Sequence, residues 1–253
     1  MSAIIKFQQV SKRYTTHTVL DQIDLDIYQG EFIGLVGVNG AGKTTLIKSL
    51  LDLCEIDTGK IDLFNVPHFN AAARTQLAFL PEQFTPPTYL TGKQFLHYMV
   101  KLYQQPYDLN KVECVCQAVD FPIAALSQSV RHYSKGMARK LGLISCFLSE
   151  KSLLILDEPM SGLDPKARAY LKHYLHTLKQ AGITLFFSTH LLVDVETLCD
   201  RMAILHDGKL QFIGSPQACC AQFNTDNLEH AYLQCIGVEH EMYISALSGI
   251  QKA

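Results

Sequence analysis

The amino-acid sequence predicts an α/β fold: a mainly parallel sheet, an antiparallel β subdomain before it, and an α-helical subdomain inserted into it. Three observations lead there. Short apolar segments recur at 32–36, 152–157, 183–188 and 201–206, and helical patterns separate the later ones. Strand patterns at 4–10 and 23–28 come first, the second alternating apolar and polar residues. Between about 84 and 150 the pattern turns helical throughout. Strands that alternate with helices imply a parallel sheet covered on both faces.

The elements follow in order. Gln29-Gly30 turns the chain into the apolar strand 32–36, which runs into a glycine-rich loop, and a helix is expected from Lys43 through Leu53. The prolines of Phe84-Thr85-Pro86-Pro87 mark a loop. Beyond it, Phe95, Leu96, Met99, Leu102 and Tyr103 form one apolar stripe at helical spacing, and Met137, Leu141, Ile144 and Leu148 form another. From Ser152 the expected order is strand 152–157, helix near 165–180, strand 183–188, helix near 190–199 and strand 201–206. Asp207-Gly208 is a hairpin signal leading into 209–213. This places one domain at 1–215 and a short helical tail at 216–253.

A chain of 253 residues, 48% of them hydrophobic, can bury a full core as one domain with a subdomain. Charges are well mixed and sum to −2, so neither composition nor net charge points to nucleic acid. No apolar run approaches the ~20 residues of a membrane-spanning helix, and the first residues lack a signal-peptide pattern; a cytoplasmic location is expected. The eight cysteines include two close pairs, Cys114/Cys116 and Cys219/Cys220, neither at zinc spacing. They read as buried, reduced thiols acting as small hydrophobes.

The segment Gly37-Val38-Asn39-Gly40-Ala41-Gly42-Lys43-Thr44 fits G-x-x-x-x-G-K-[ST] and lies between an expected strand and an expected helix. Glycines let backbone N–H groups wrap phosphates, and the helix N-terminus adds a positive dipole end. Lys43 is placed to reach the β- and γ-phosphates and the Thr44 hydroxyl to ligate Mg²⁺. Thr45 completes the expected nucleotide-binding set.

The strand Leu153-Leu154-Ile155-Leu156-Asp157-Glu158 ends in two carboxylates, at the strand end where parallel sheets gather ligands. Asp157 is placed to hold Mg²⁺ through water, and Glu158 to orient or deprotonate an attacking water. The strand Thr184-Leu185-Phe186-Phe187-Ser188-Thr189 leads to His190, which can hydrogen-bond a γ-phosphate.

In order, Tyr14, the 37–44 loop, Tyr133-Ser134-Lys135-Gly136-Met137, Asp157-Glu158, Ser161-Gly162-Leu163-Asp164 and His190 resemble the nucleotide-binding subunit of ABC (ATP-binding cassette) transporters. The resemblance covers residues 3–215 and implies a P-loop NTPase core that hydrolyses ATP with Mg²⁺. It implies that Tyr14 stacks on adenine. Ser134, Lys135, Gly136 and Met137 would be the signature segment contacting ATP on the opposite subunit, and Asp164 would lie in the loop joining the two sites. The partners implied are a second ATPase subunit, expected to be another copy arranged head-to-tail, and transmembrane permease subunits that hold the chain on the cytoplasmic face of the membrane.

Three features depart from the common pattern. The signature reads Tyr-Ser-Lys-Gly-Met rather than Leu-Ser-Gly-Gly-Gln, a form similar to exporter-like members. The metal-contacting loop reads Leu80-Pro81-Glu82-Gln83, with Glu82 at the glutamine position, so either Glu82 or Gln83 offers the oxygen. The segment 227–233 resembles the tail helix of exporter-type members. A soluble ABC-type ATPase is the competing reading; the short gap between loop and signature, without heptads or paired cysteines, and the single P-loop count against several of its forms. The intact Lys43, Asp157, Glu158 and His190 count against a non-catalytic module.

Overall fold

The computed structural model describes residues 2–238. The chain begins with β1 (Ala3–Tyr14) and β2 (His17–Tyr28), paired antiparallel, then β3 (Phe32–Val36), α1 (Lys43–Leu50), β4 (Thr58–Leu63), the two-residue β5 (Val66–Pro67) and β6 (Leu77–Leu80). Next come α2 (Gly92–Leu102), α3 (Leu109–Ala118) and α4 (Lys135–Phe147). The remainder alternates: β7 (Leu153–Asp157), α5 (Pro165–Gln180), β8 (Thr184–Thr189), α6 (Leu192–Leu198) and β9 (Arg201–His206), closing with β10 (Lys209–Gly214), α7 (Pro216–Gln222) and α8 (Leu228–Cys235).

Two sheets result. One is antiparallel, in the order β2-β1-β4-β5; the other has the order β10-β9-β3-β8-β7-β6 and is parallel except for the β9–β10 hairpin. Every residue of β3, β7 and β8 is buried, which is why these strands read as unbroken apolar runs. One core, including Phe7, Ile23, Leu46 and Phe186, lies between the two sheets around α1. A second, including Phe187, Leu143, Leu171 and Val115, lies between the larger sheet and the helices.

The turn between β9 and β10 has positive φ at both Asp207 (47°) and Gly208 (75°), the conformation that matches hairpin twist. Its tip reaches the other sheet, where Asp21 N–H donates to Gly208 O at 2.8 Å. Val19 is pinned from two sides: a Cβ on Gly42 would stand 2.7 Å from its carbonyl oxygen, and a Cβ on Gly208 3.0 Å.

Several expectations are revised. The helix from Lys43 ends at Leu50; Asp52 takes φ +59° and Leu53 is exposed. β4, β5 and β6 had no counterpart in the sequence pattern. Leu102 leaves its stripe and faces solvent, because α2 presents Phe95 and Leu96 to the core. Only Cys116, Cys146 and Cys219 are buried; Cys114 is exposed and the other four are intermediate, though all eight are free thiols. In the tail, α7 and α8 pack on α6 and the β10 side of the sheet; residues 239–253 lie outside the described residues. Among the described residues no helix is long and apolar enough to cross a membrane.

Candidate active site

The site assembles where β3, β7 and β8 end together. The loop leaving β3 runs against β9 so closely that a Cβ on Gly37 would stand 2.4 Å from Leu205 O. Gly40 (φ +87°) and Gly42 (φ +107°) take left-handed conformations that bend the loop into α1. No side chain caps α1 at Gly42, so its first N–H groups stay available to an anion. Ala41 is buried under the loop while Val38, Asn39 and Gly40 face solvent.

Lys43 is buried, and its Nζ donates to Gly37 O at 2.7 Å and Val38 O at 3.2 Å. It lies 3.7 Å from Glu158 Oε1. Thr44 Oγ1 donates to Asp157 Oδ2 at 3.0 Å. Parallel pairing sets Asp157 opposite Ser188, whose hydroxyl donates to Asp157 Oδ1 and accepts the Glu158 N–H at 2.9 Å. Glu158 adopts φ +51°, which costs a non-glycine residue roughly 1–2 kcal/mol. Its Oε2 lies 2.9 Å from His190 Nδ1. Its other oxygen, Oε1, is buried without a hydrogen-bond partner.

A cavity of about 440 Å³ opens here, lined by Asn39, Gly40, Lys43, Thr44, Thr45, Glu82 and Glu158 among others. Gln83 lines an adjoining cavity of about 360 Å³, with Lys135, Arg139 and Ser161; Glu82 borders both. Of the two residues open for metal contact, Glu82 is therefore the one facing the phosphate loop. The Thr44 hydroxyl, Asp157, Glu82 and the unpartnered Glu158 Oε1 are hard oxygen donors of the kind Mg²⁺ takes, usually alongside water and phosphate. Among the described residues no cluster of three or more His, Cys, Asp and Glu could hold a metal by itself.

The remaining expected residues sit apart from this cavity. Tyr14, at the end of β1, is half-exposed; its hydroxyl lies 2.9 Å from Cys54 Sγ, and Lys12 Nζ stands 5.3 Å from its ring centroid. The hydrogen bond with Cys54, followed by burial, raises the phenol above its ordinary pKa. Ser134 caps α4, accepting from Met137 N–H at 3.2 Å, with Lys135 exposed behind it. Gly136 backs onto the loop after β7, where a Cβ would meet Gly162 O at 3.0 Å. Asp164 caps α5 by accepting from Ala167 N–H at 2.9 Å. Within one chain Ser134, Lys135, Gly136 and Met137 do not line the cavity beside the 37–45 loop. Sequence reasoning missed Ser188 and Arg139; each acts on residues distant in the chain, and the register of β7 against β8 is the signal that could have found Ser188.

Comparison with known proteins shows the family and the fold. The ABC transporter family model matches residues 20–161. An uncharacterized ABC transporter ATP-binding protein of Nostoc is 38% identical over 208 residues, covering 81% of this chain and 62% of the relative. A similar protein of Synechocystis is 35% identical over 222 residues, 84% of this chain and 63% of the relative, so the chain spans less than two thirds of either. The bacitracin transport ATP-binding protein of Bacillus licheniformis is 33% identical over 213 residues, 83% of this chain and 69% of its own length. A solved ATP-binding subunit of an ABC transporter superposes with a TM-score of 0.83 at 30% identity, covering 92% of this chain and 99% of that one. A dimeric ATP-binding cassette bound to ADP and phosphate shares the fold, with a TM-score of 0.75 at 19% identity over 83% of this chain and 98% of that one. The matched family model, these relatives and the shared fold establish that the chain belongs to the ABC transporter family, among its ATP-binding proteins.

Proposed function

We propose that this chain binds and hydrolyses ATP to energise transport, in the export direction, through separate membrane-spanning subunits. The observation that carries the reading is that Lys43, Thr44 and Glu158 line one cavity, with Asp157 hydrogen-bonded to Thr44 and His190 to Glu158 just behind them. The direction rests on relatives named for bacitracin transport, linearmycin resistance and Nod factor export. Tyr14 stacks on the adenine ring and the 37–45 backbone cradles the phosphates.

Glu158 orients the attacking water and takes its proton, and Lys43 neutralises charge that builds on the γ-phosphoryl group. His190 holds the Glu158 carboxylate in place through the 2.9 Å contact and senses the γ-phosphate. Mg²⁺, when bound by Thr44, Asp157 through water and Glu82, would supply charge neutralisation across the phosphates. The signature residues 134–137 and Asp164 complete the site of a second copy in a head-to-tail dimer, at the cytoplasmic face of the membrane.

The test is twofold: ATP hydrolysis by the purified chain, and recovery of the tagged chain from gently solubilised membranes. Mg²⁺-dependent hydrolysis and a stoichiometric multi-spanning partner are expected. Recovery with no membrane chain would remove the transport reading and leave a soluble ABC-type ATPase; absence of hydrolysis in any assembly would remove the enzymatic one.

A further inference from the structure

Arg139 is the fifth residue of α4, yet it is buried with 4% of its surface exposed. A buried guanidinium normally answers a carboxylate. This one donates to main-chain carbonyls instead. Nη1 donates to Pro81 O and, at 3.2 Å, to Glu82 O; Nη2 donates to Asp157 O and, at 2.7 Å, to Glu158 O; Nε lies 3.5 Å from Pro159 O. The planar fork thus spans the loop after β6 and the loop after β7, one set of donors on each. Those loops carry Glu82, which faces the phosphate cavity, and Glu158, whose carboxylate adjoins Lys43. Burial lowers the guanidinium pKa, and the nearby charge of Asp157 offsets part of that cost.

The Glu158 backbone is therefore gripped at both ends: Ser188 takes its N–H and Arg139 binds its carbonyl. A residue at φ +51° persists only where its surroundings hold it. Arg139 also sits five residues, about one and a half turns, after Ser134, the cap of the same helix. A shift of the start of α4 would move both loops together.

We infer that Arg139 is a positioning residue: from the signature helix it fixes the spacing between the Glu82 loop and the Glu158 loop, and through it the geometry of the Mg²⁺ and water sites. This deepens the proposed ATPase function and rests on it. Nucleotide affinity in the absence of metal belongs to Tyr14 and the 37–45 loop, and the hydrogen bonds of Arg139 reach neither. The two kinds of readout therefore separate.

The experiment compares wild type with Arg139→Lys and Arg139→Met. It measures binding of a fluorescent ATP analogue with and without Mg²⁺, the Mg²⁺ concentration for half-maximal hydrolysis, and kcat against KM. In Arg139→Met, metal-free affinity should stay within about threefold while the Mg²⁺-dependent gain in affinity is lost. Its kcat should fall about 30-fold or more, a positioning loss, with KM little changed. Arg139→Lys keeps the charge but cannot span two loops, so it should lie between. Unchanged Mg²⁺ dependence and kcat in both folded variants would overturn the inference. So would parallel loss of thermal stability, metal-free binding and kcat in both, which marks a merely structural role. Failure of the wild-type chain to bind ATP would instead remove the proposed function itself, and this inference with it.

Discussion

The Oε2 atom of Glu158 lies 2.9 Å from Nδ1 of His190, so the carboxylate after β7 and the histidine after the neighbouring strand β8 form one unit. Glu158→Gln keeps the size and the hydrogen-bonding reach of the side chain but removes its basicity. Phosphate release should fall by about two orders of magnitude or more, while ATP stays bound and the chain elutes as an ATP-dependent dimer on size exclusion. Retained turnover in this variant would take Glu158 out of its assigned role.

Tyr14 offers a ring and a hydroxyl that can be tested separately. The hydroxyl is engaged with Cys54, so Tyr14→Phe should leave ATP affinity within about twofold. Tyr14→Ala removes the stacking face and should weaken ATP by about tenfold, a stacking contribution of order 1 kcal/mol. Equilibrium binding of ATP and of triphosphate alone distinguishes the two parts, because triphosphate should not respond to either change.

Glu82 and Gln83 make a matched pair for assigning the metal loop. Glu82 borders the phosphate cavity, whereas Gln83 lines the neighbouring one. Glu82→Ala should raise the Mg²⁺ concentration needed for half-maximal hydrolysis several-fold, and Gln83→Ala should not. A reversed pattern in a Mg²⁺ titration would move the metal contact to Gln83.

Asp120 ties α4 to α5. Lys166 Nζ donates to Oδ1 at 2.8 Å, and Lys140 Nζ donates to the Asp120 carbonyl at 2.6 Å and to Oδ2 at 3.3 Å. The Lys166 hydrogen bond, with Lys140 behind it and burial opposing both, lowers the carboxyl pKa. A depressed folded pKa contributes stability above the unfolded value of about 3.9 and loses it as pH falls through the lowered folded value. Asn tolerates the φ of +54° found here, so Asp120→Asn isolates the charge. Urea melts should show it less stable than wild type by about 0.5–1 kcal/mol at neutral pH. The difference should shrink once the wild-type carboxylate is protonated, and a difference independent of pH would contradict the ionic account.

The legible parts of this fold were those whose burial leaves a local mark. β3, β7 and β8 are covered on both faces and announce themselves as apolar runs, and the Asp207-Gly208 turn carries its conformation in its residue types. β4 begins with three exposed residues and β6 has only four, so neither sustains a pattern long enough to read. Leu102 obeys the helical spacing but is exposed, while its neighbours Val100 and Tyr103 turn toward the core. In the site, Lys43, Asp157, Glu158 and His190 stood out by type and position. Ser188 and Arg139 did not, because a serine in a strand and an arginine in a helix acquire meaning only from partners about 20 to 60 residues away.

The pinning of Val19 between Gly42 and Gly208 has a mechanical consequence. With a methyl group on Gly42 clashing with the Val19 carbonyl and one on Gly208 crowding it, the 37–45 loop, the β9–β10 hairpin and the antiparallel sheet are packed closely together. On the opposite flank the seam is held by the polar fork of one side chain reaching across two loops. The two flanks are thus joined differently, one by backbone packed on backbone and the other by hydrogen bonds from a single side chain.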